Sequence, residues 1–113
     1  MISPEAKIIL FKGKKLKDKT HPIVLQVKVG TNDYRRISLS MSAKESNWNA
    51  TDARFRDKNN DHENRELFEY EEKANLLLVE SIKKMREERL PFDYNRFKNK
   101  FLGREFDDGD KPK

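Results

Sequence analysis

The sequence predicts an α+β fold: a three-stranded antiparallel sheet, one long helix and a short C-terminal helix. Three observations predict it. Residues 23–29 and 34–41 alternate apolar and polar side chains and meet at a polar turn. A short apolar run at 6–12 precedes them, and apolar residues recur every three or four positions from 64 to 89. The alternation has the period of strands, the short β-branched run has the length of one, and the last pattern has the period of a helix.

The first strand is AKIILFK, residues 6–12. Its length and β-branching favour a strand, but Ile9 and Phe11 fall on one face and Ile8 and Leu10 on the other, so its inward face stays open. GKKLKDKTH at 13–21 is a basic loop, either a flexible arm or a wide hairpin turn. Pro22 suits a strand entrance, where a missing amide hydrogen is tolerated. In the second strand Ile23, Leu25, Val27 and Val29 share one face, and Val24, Gln26 and Lys28 the other. GTND at 30–33 supplies turn residues. In the third strand Arg35, Ile37, Leu39 and Met41 alternate with Tyr34, Arg36, Ser38 and Ser40. The apolar halves belong on one side of the sheet and the polar halves on the side facing solvent or a partner. Strict alternation puts Arg35 on the apolar side, unless it snorkels to the edge or the register slips.

Residues 42–63 show no period and read as a loop with room for one helical turn. Trp48 is expected to close a core edge rather than stack on a base, and Phe55 to pin the loop. The long helix is expected over about 64–89. Leu67, Tyr70, Ala74, Leu77, Leu78, Ile82 and Met85 line one face, with Glu71 the polar exception. Asn64 or Asn60 is the expected cap. Its glutamate-rich first half and basic second half complement the helix dipole, so Lys83 and Lys84 are not read as a nucleic-acid site. A helix of that length spans roughly 39 Å. It outreaches a small sheet and must overhang or meet another element. LPFDYNRFKNKFLG at 90–103 supplies one: Pro91 breaks the long helix, Asp93 caps a short one, Phe97, Phe101 and Leu102 form its apolar face, and Gly103 ends it. Residues 1–103 are expected to form one domain, and the polar segment 104–113 a disordered tail.

The chain has 113 residues, 40% of them charged, with a net charge of +5. Placement matters more than size. Residues 1–50 hold ten Lys or Arg against four Asp or Glu, while residues 51–89 hold nine against eleven. The positive excess sits on the sheet and its leading loop, where it would steer a polyanion. Ordinary solubility charge is the competing account.

Several classes are excluded as expectations. No cysteine is present, so neither a disulfide framework nor a thiolate metal site is available. His21 and His62 stand apart without carboxylates at ligand spacing. Four scattered glycines make no phosphate loop, and Glu66, Glu69 and Glu72 read as a solvated helix face. No catalytic set, cofactor or small-molecule substrate is therefore expected. The opening segment does not read as a signal peptide and no apolar run approaches a membrane span, so a cytoplasmic protein is the default expectation.

The candidate binding groups follow from the polar sheet face. Gln26, Lys28, Arg36, Ser38 and Ser40 are the candidate base contacts, and Arg36 the best of them because its fork can take two guanine acceptors. The competing role for Arg36 is a surface arginine paired with Asp33. Lys12, Lys14, Lys15, Lys17, Lys19 and Arg35 are the candidate phosphate contacts.

A short strand, a basic loop, PIVLQVKVGTNDYRRISLSMSAKESNWN, an Asn64-x-x-Leu67 helix start and a closing Phe101-Leu102-Gly103 follow one another. This order resembles the N-terminal arm-type DNA-binding domain of tyrosine recombinases, the phage-integrase family. The resemblance covers residues 6–103. It implies a three-stranded antiparallel sheet packed on one long helix, with the exposed face entering the major groove of double-stranded DNA at arm sites of a mobile element. It further implies that residues 92–103 join a core-binding domain, that the catalytic tyrosine domain lies farther along a longer enzyme, and that recombinase protomers are possible partners. The chain departs from the family at two places. Leu39-Ser40-Met41 stands where a threonine and glycine are usual, and Gly30-Thr31-Asn32-Asp33 where a two-residue Asn-Gly turn is common.

Two rival readings compete. In one, the long helix presents Leu77, Ile82 and Met85 to a protein partner and the chain has no nucleic-acid role. In the other, the basic sheet binds single-stranded RNA, with Tyr34 its one good stacking aromatic.

Overall fold

The alternating segments pair as expected. A computed structural model describes residues 3–103, and the tail expected at 104–113 lies outside the described residues. Strand β1 spans Glu5–Leu10, β2 His21–Gly30 and β3 Asp33–Ala43; they form one antiparallel sheet in that order. Ile8, Leu10, Ile23, Leu25, Val27, Ile37 and Leu39 are buried on the helix side. The open question about β1 is thus decided: Ile8 and Leu10 point inward.

The basic loop is a wide hairpin turn and not a free arm. Phe11 N–H donates to the Pro22 carbonyl at 2.8 Å, and Leu16 N–H to that of Thr20 at 2.8 Å. The β2–β3 turn is tighter than GTND suggested, because Gly30 already pairs with Asp33 and only Thr31 and Asn32 project. Asn32 takes a left-handed backbone, φ 57°, which asparagine tolerates.

Strand β3 carries a bulge. Val24 pairs with Ser38 and Ile23 with Met41, so Leu39 and Ser40 have no partners in step. Ser40 has φ 60°. Two extra residues preserve the side-chain alternation, so Leu39 stays buried and Met41 half-buried on the core side.

The segment read as a loop contains structure that its lack of period concealed. Strands β4 (Trp48–Asn49) and β5 (Arg54–Phe55) form a two-stranded antiparallel ribbon between two 3-10 turns. Trp48 and Phe55 are buried and meet edge to face at 5.7 Å between ring centroids. Trp48 closes the core edge, as expected.

Helix α1 spans Asp61–Glu88 and begins a turn earlier than the sequence suggested. Neither asparagine caps it through its side chain. Asn60 occupies the cap position, but its amide donates to Glu63 and its carbonyl accepts from Asn47. Asn64 lies inside the helix and bonds both backbone groups of Phe55, at 2.8 and 3.2 Å. Glu71, the polar exception on the apolar face, takes both ends of the Arg54 guanidinium at 2.9 and 3.2 Å. Leu67, Ala74, Leu78 and Met85 are buried.

Helix α2, Tyr94–Phe101, resolves the overhang. Asp93 caps it by accepting from Arg96 N–H at 3.0 Å, and Gly103 follows with φ 73°, where a side chain would be strained. Phe97 and Phe101 are buried, and Phe101 lies 5.7 Å from the Tyr70 ring. The short helix therefore doubles back along the long one and shares its core.

Candidate nucleic-acid interface

The outer sheet face is assembled by cross-strand rows. Lys7, Gln26 and Arg36 form one row. Ile9, Val24 and Ser38 form the next toward the loop end, and Glu5, Lys28 and Tyr34 the next toward the hairpin tip. Adjacent strands lie about 4.8 Å apart, so a three-strand row is about 10 Å wide. The major groove is about 12 Å wide. The two widths are comparable.

Of the five candidate base contacts, Gln26, Lys28, Arg36 and Ser38 lie on this face. Ser40 does not continue the series. It is exposed, but it sits in the bulge, and its amide donates to the Ser38 hydroxyl at 3.2 Å. That bond occupies one lone pair of Ser38 and leaves its proton free to donate. Lys28 is half-buried, opposite Glu5 and Tyr34. The face is therefore less uniformly positive at the tip than in the middle row.

Arg36 is exposed and lies over Phe11, its guanidinium carbon 4.4 Å from the ring centroid. Among the described residues no carboxylate pairs with it. The ion pair with Asp33 considered for Arg36 is instead made by Arg35. Arg35 pairs across the sheet with Val27 on the helix side and lines a recess with Pro91 and Tyr94. Burial pushes the Tyr94 phenol up, and Arg35 pulls it part of the way back. Arg35 thus stands apart from the face that carries the other candidates.

The phosphate candidates divide. Lys14, Lys15, Lys17 and Lys19 are exposed on the β1–β2 loop and have no ion pair among the described residues. Lys12 is tied to Glu45 at 2.7 Å. Its hydrogen bond and charge hold the Glu45 carboxyl below the ordinary carboxylate range. Asp18 is lowered too, by the hydroxyl and amide of Thr20, so the loop's own acid serves its turn.

Two residues of the outer face escaped the sequence reading: Lys7 and Phe11. Both belong to β1 or its continuation, whose faces were ambiguous because each parity carries apolar residues. The usable signal was Lys7 itself. A charge inside the strand marks the odd-numbered face as the open one, which also brings Ile9 and Phe11 outward.

Over residues 8–91 the sequence matches the family described as Arm DNA-binding domain. The chain belongs to that family. Membership is consistent with DNA as a partner. The arm DNA-binding match ends before α2, yet Phe97 and Phe101 pack in the same core as the sheet. No curated protein and no solved structure matches the chain. Among the described residues no group of three or more His, Cys, Asp or Glu is placed to hold a metal, and no helix is long and apolar enough to cross a membrane.

Proposed function

We propose that this arm DNA-binding domain binds double-stranded DNA by laying its outer sheet face in the major groove, as the arm-site module of a site-specific tyrosine recombinase. The observation that carries this reading is the Lys7–Gln26–Arg36 row. It offers a flexible cation, an amide and a guanidinium side by side across all three strands. Gln26 suits adenine, whose N6 and N7 take its acceptor and donor, and Arg36 suits guanine O6 and N7. The β1–β2 loop, at the end of the sheet where β3 finishes, supplies phosphate cations.

The residues named for the protein-interaction reading are largely taken up by the fold, although α1 leaves Phe68, Leu76 and Val79 exposed. Met85 is buried, Leu77 packs against the core and Ile82 is half-buried. The RNA reading gains nothing, because Phe11, the second aromatic on the outer face, is covered by Arg36.

An NMR titration with duplex DNA at low salt tests the proposal. Amides of residues 5–9, 24–28 and 34–38 should shift, and Arg36→Ala should weaken binding to a selected sequence far more than to random duplex. Shifts confined to α1, or equal affinity for single strands, would refute it.

A further inference from the structure

Phe11 has no partner in the apolar core. Its ring lies on the outer side of the sheet, one residue beyond β1, where its amide still pairs with Pro22. One ring face carries Arg36, centred at 4.4 Å. A second contact comes from Gly13. A Cβ added there would stand 2.9 Å from Cζ and 3.0 Å from Cε1 of the ring, closer than side chains approach. The Gly13 φ is not left-handed, so the backbone does not itself require glycine. What the missing side chain provides is room for the ring.

We infer that Phe11, seated against Gly13, is a positioning residue that holds the Arg36 guanidinium flat and ready to take both major-groove acceptors of one guanine. This rests on the reading of the outer face as the DNA-contacting surface. The physical case has three parts. A stacked guanidinium keeps its N–H donors in the plane of the fork, directed away from the ring, so stacking and bidentate bonding do not compete. An unsupported arginine loses more rotamer freedom on binding, which subtracts from affinity. Arg36 also lacks a carboxylate partner among the described residues, so Phe11 is the contact that restrains it without using its donors.

The test uses the 113-residue chain and a duplex selected from a random pool by the wild-type protein. Arg36→Ala should erase the preference at one G·C position. Phe11→Leu keeps the apolar bulk and should reduce that same preference by about three- to tenfold, the fold-change equivalent of a cation–π contact. Affinity for random duplex should stay the same. Phe11→Trp should restore the preference. Gly13→Ala should lower it as Phe11→Leu does, since the added methyl displaces the ring while the backbone remains allowed. In the double variant Phe11→Leu/Arg36→Ala, the Phe11 change should add no further loss at that position. If Arg36→Ala erases the preference while Phe11→Leu and Gly13→Ala leave it intact, the positioning role is wrong and the groove reading survives. If Arg36→Ala changes no position, both fail together. Equal losses on selected and random duplex in Phe11→Leu, or no rescue by Phe11→Trp, would reduce Phe11 to a packing residue.

Discussion

Lys12 and Glu45 form an ion pair at the edge of the basic β1–β2 loop. The ammonium holds the carboxyl below its ordinary value of 4.5. A lowered carboxylate stabilises the pair above that ordinary value, and the contribution is lost as pH falls through the lowered one. Lys12→Ala should therefore move the Glu45 titration, followed by carboxyl NMR, back toward 4.5. Glu45→Gln should tighten DNA binding, because it frees Lys12 and removes an acid from the loop's neighbourhood. Ser40 offers a second test. It holds φ 60°, a left-handed backbone that glycine adopts without strain. Relieving a left-handed side chain gains about 1–2 kcal/mol, and glycine's extra chain entropy takes back about 0.5–1. Ser40→Gly should raise the melting temperature by a few degrees, at roughly 4–8 °C per kcal/mol. A lower melting temperature would mean that the bulge draws on the serine hydroxyl.

Among the elements, the β4–β5 ribbon is the least self-sufficient. A two-residue ladder has no stability of its own in water. It is held by Trp48 and Phe55 in the core, by the Arg54–Glu71 pair, and by Asn64 standing in for a third strand against Phe55. Asn64→Ala leaves the half-buried Phe55 backbone groups without that partner and should cost about 1–3 kcal/mol. Trp48 fluorescence should shift to the red, and the urea midpoint should fall. Helix α2 is too short to persist alone; its apolar side is its stability. Phe97→Ala should cost about 3–5 kcal/mol. A small loss, with α2 amide exchange unchanged, would show that the short helix is only loosely docked.

The whole molecule separates its two tasks by surface. Helix α1, about 42 Å long at the standard rise, runs the length of a body measuring 44 × 34 × 23 Å. With α2 it covers the apolar side of the sheet; on the other side Val24 is buried, Gln26 and Lys28 are half-buried, and Arg36 and Ser38 are exposed. Under the proposed reading, phosphate attraction comes from the loop and base contact from the strands. Each alanine at Lys14, Lys15, Lys17 or Lys19 that removes a phosphate contact should lessen the slope of log affinity against log salt by about 0.9 and weaken all duplexes alike. Gln26→Ala should instead alter preference at one base pair and leave the slope alone. Identical behaviour of both sets would contradict the division.

Much of this was legible because period is local. Alternation in 23–29 and 34–41 sorts Gln26 and Arg36 from Leu25 and Ile37 without knowledge of any contact, and the three- and four-residue spacing does the same for Leu67 through Met85. Capping by Asp93 and termination at Gly103 are equally local, since each acts within a few residues. Other features depend on groups far apart in sequence. Which side of β1 faces outward is set by its pairing with β2, and this brings Lys7 beside Gln26 and Phe11 beneath Arg36. Asn64 looks like a cap until Phe55, nine residues earlier, claims both ends of its amide. Alternation alone sends Arg35 to the helix side and Arg36 outward, but only the tertiary structure sets Arg35 beside Tyr94 and Arg36 over the Phe11 ring. Period is inherited from the backbone, whereas side-chain partnership depends on where distant backbone arrives.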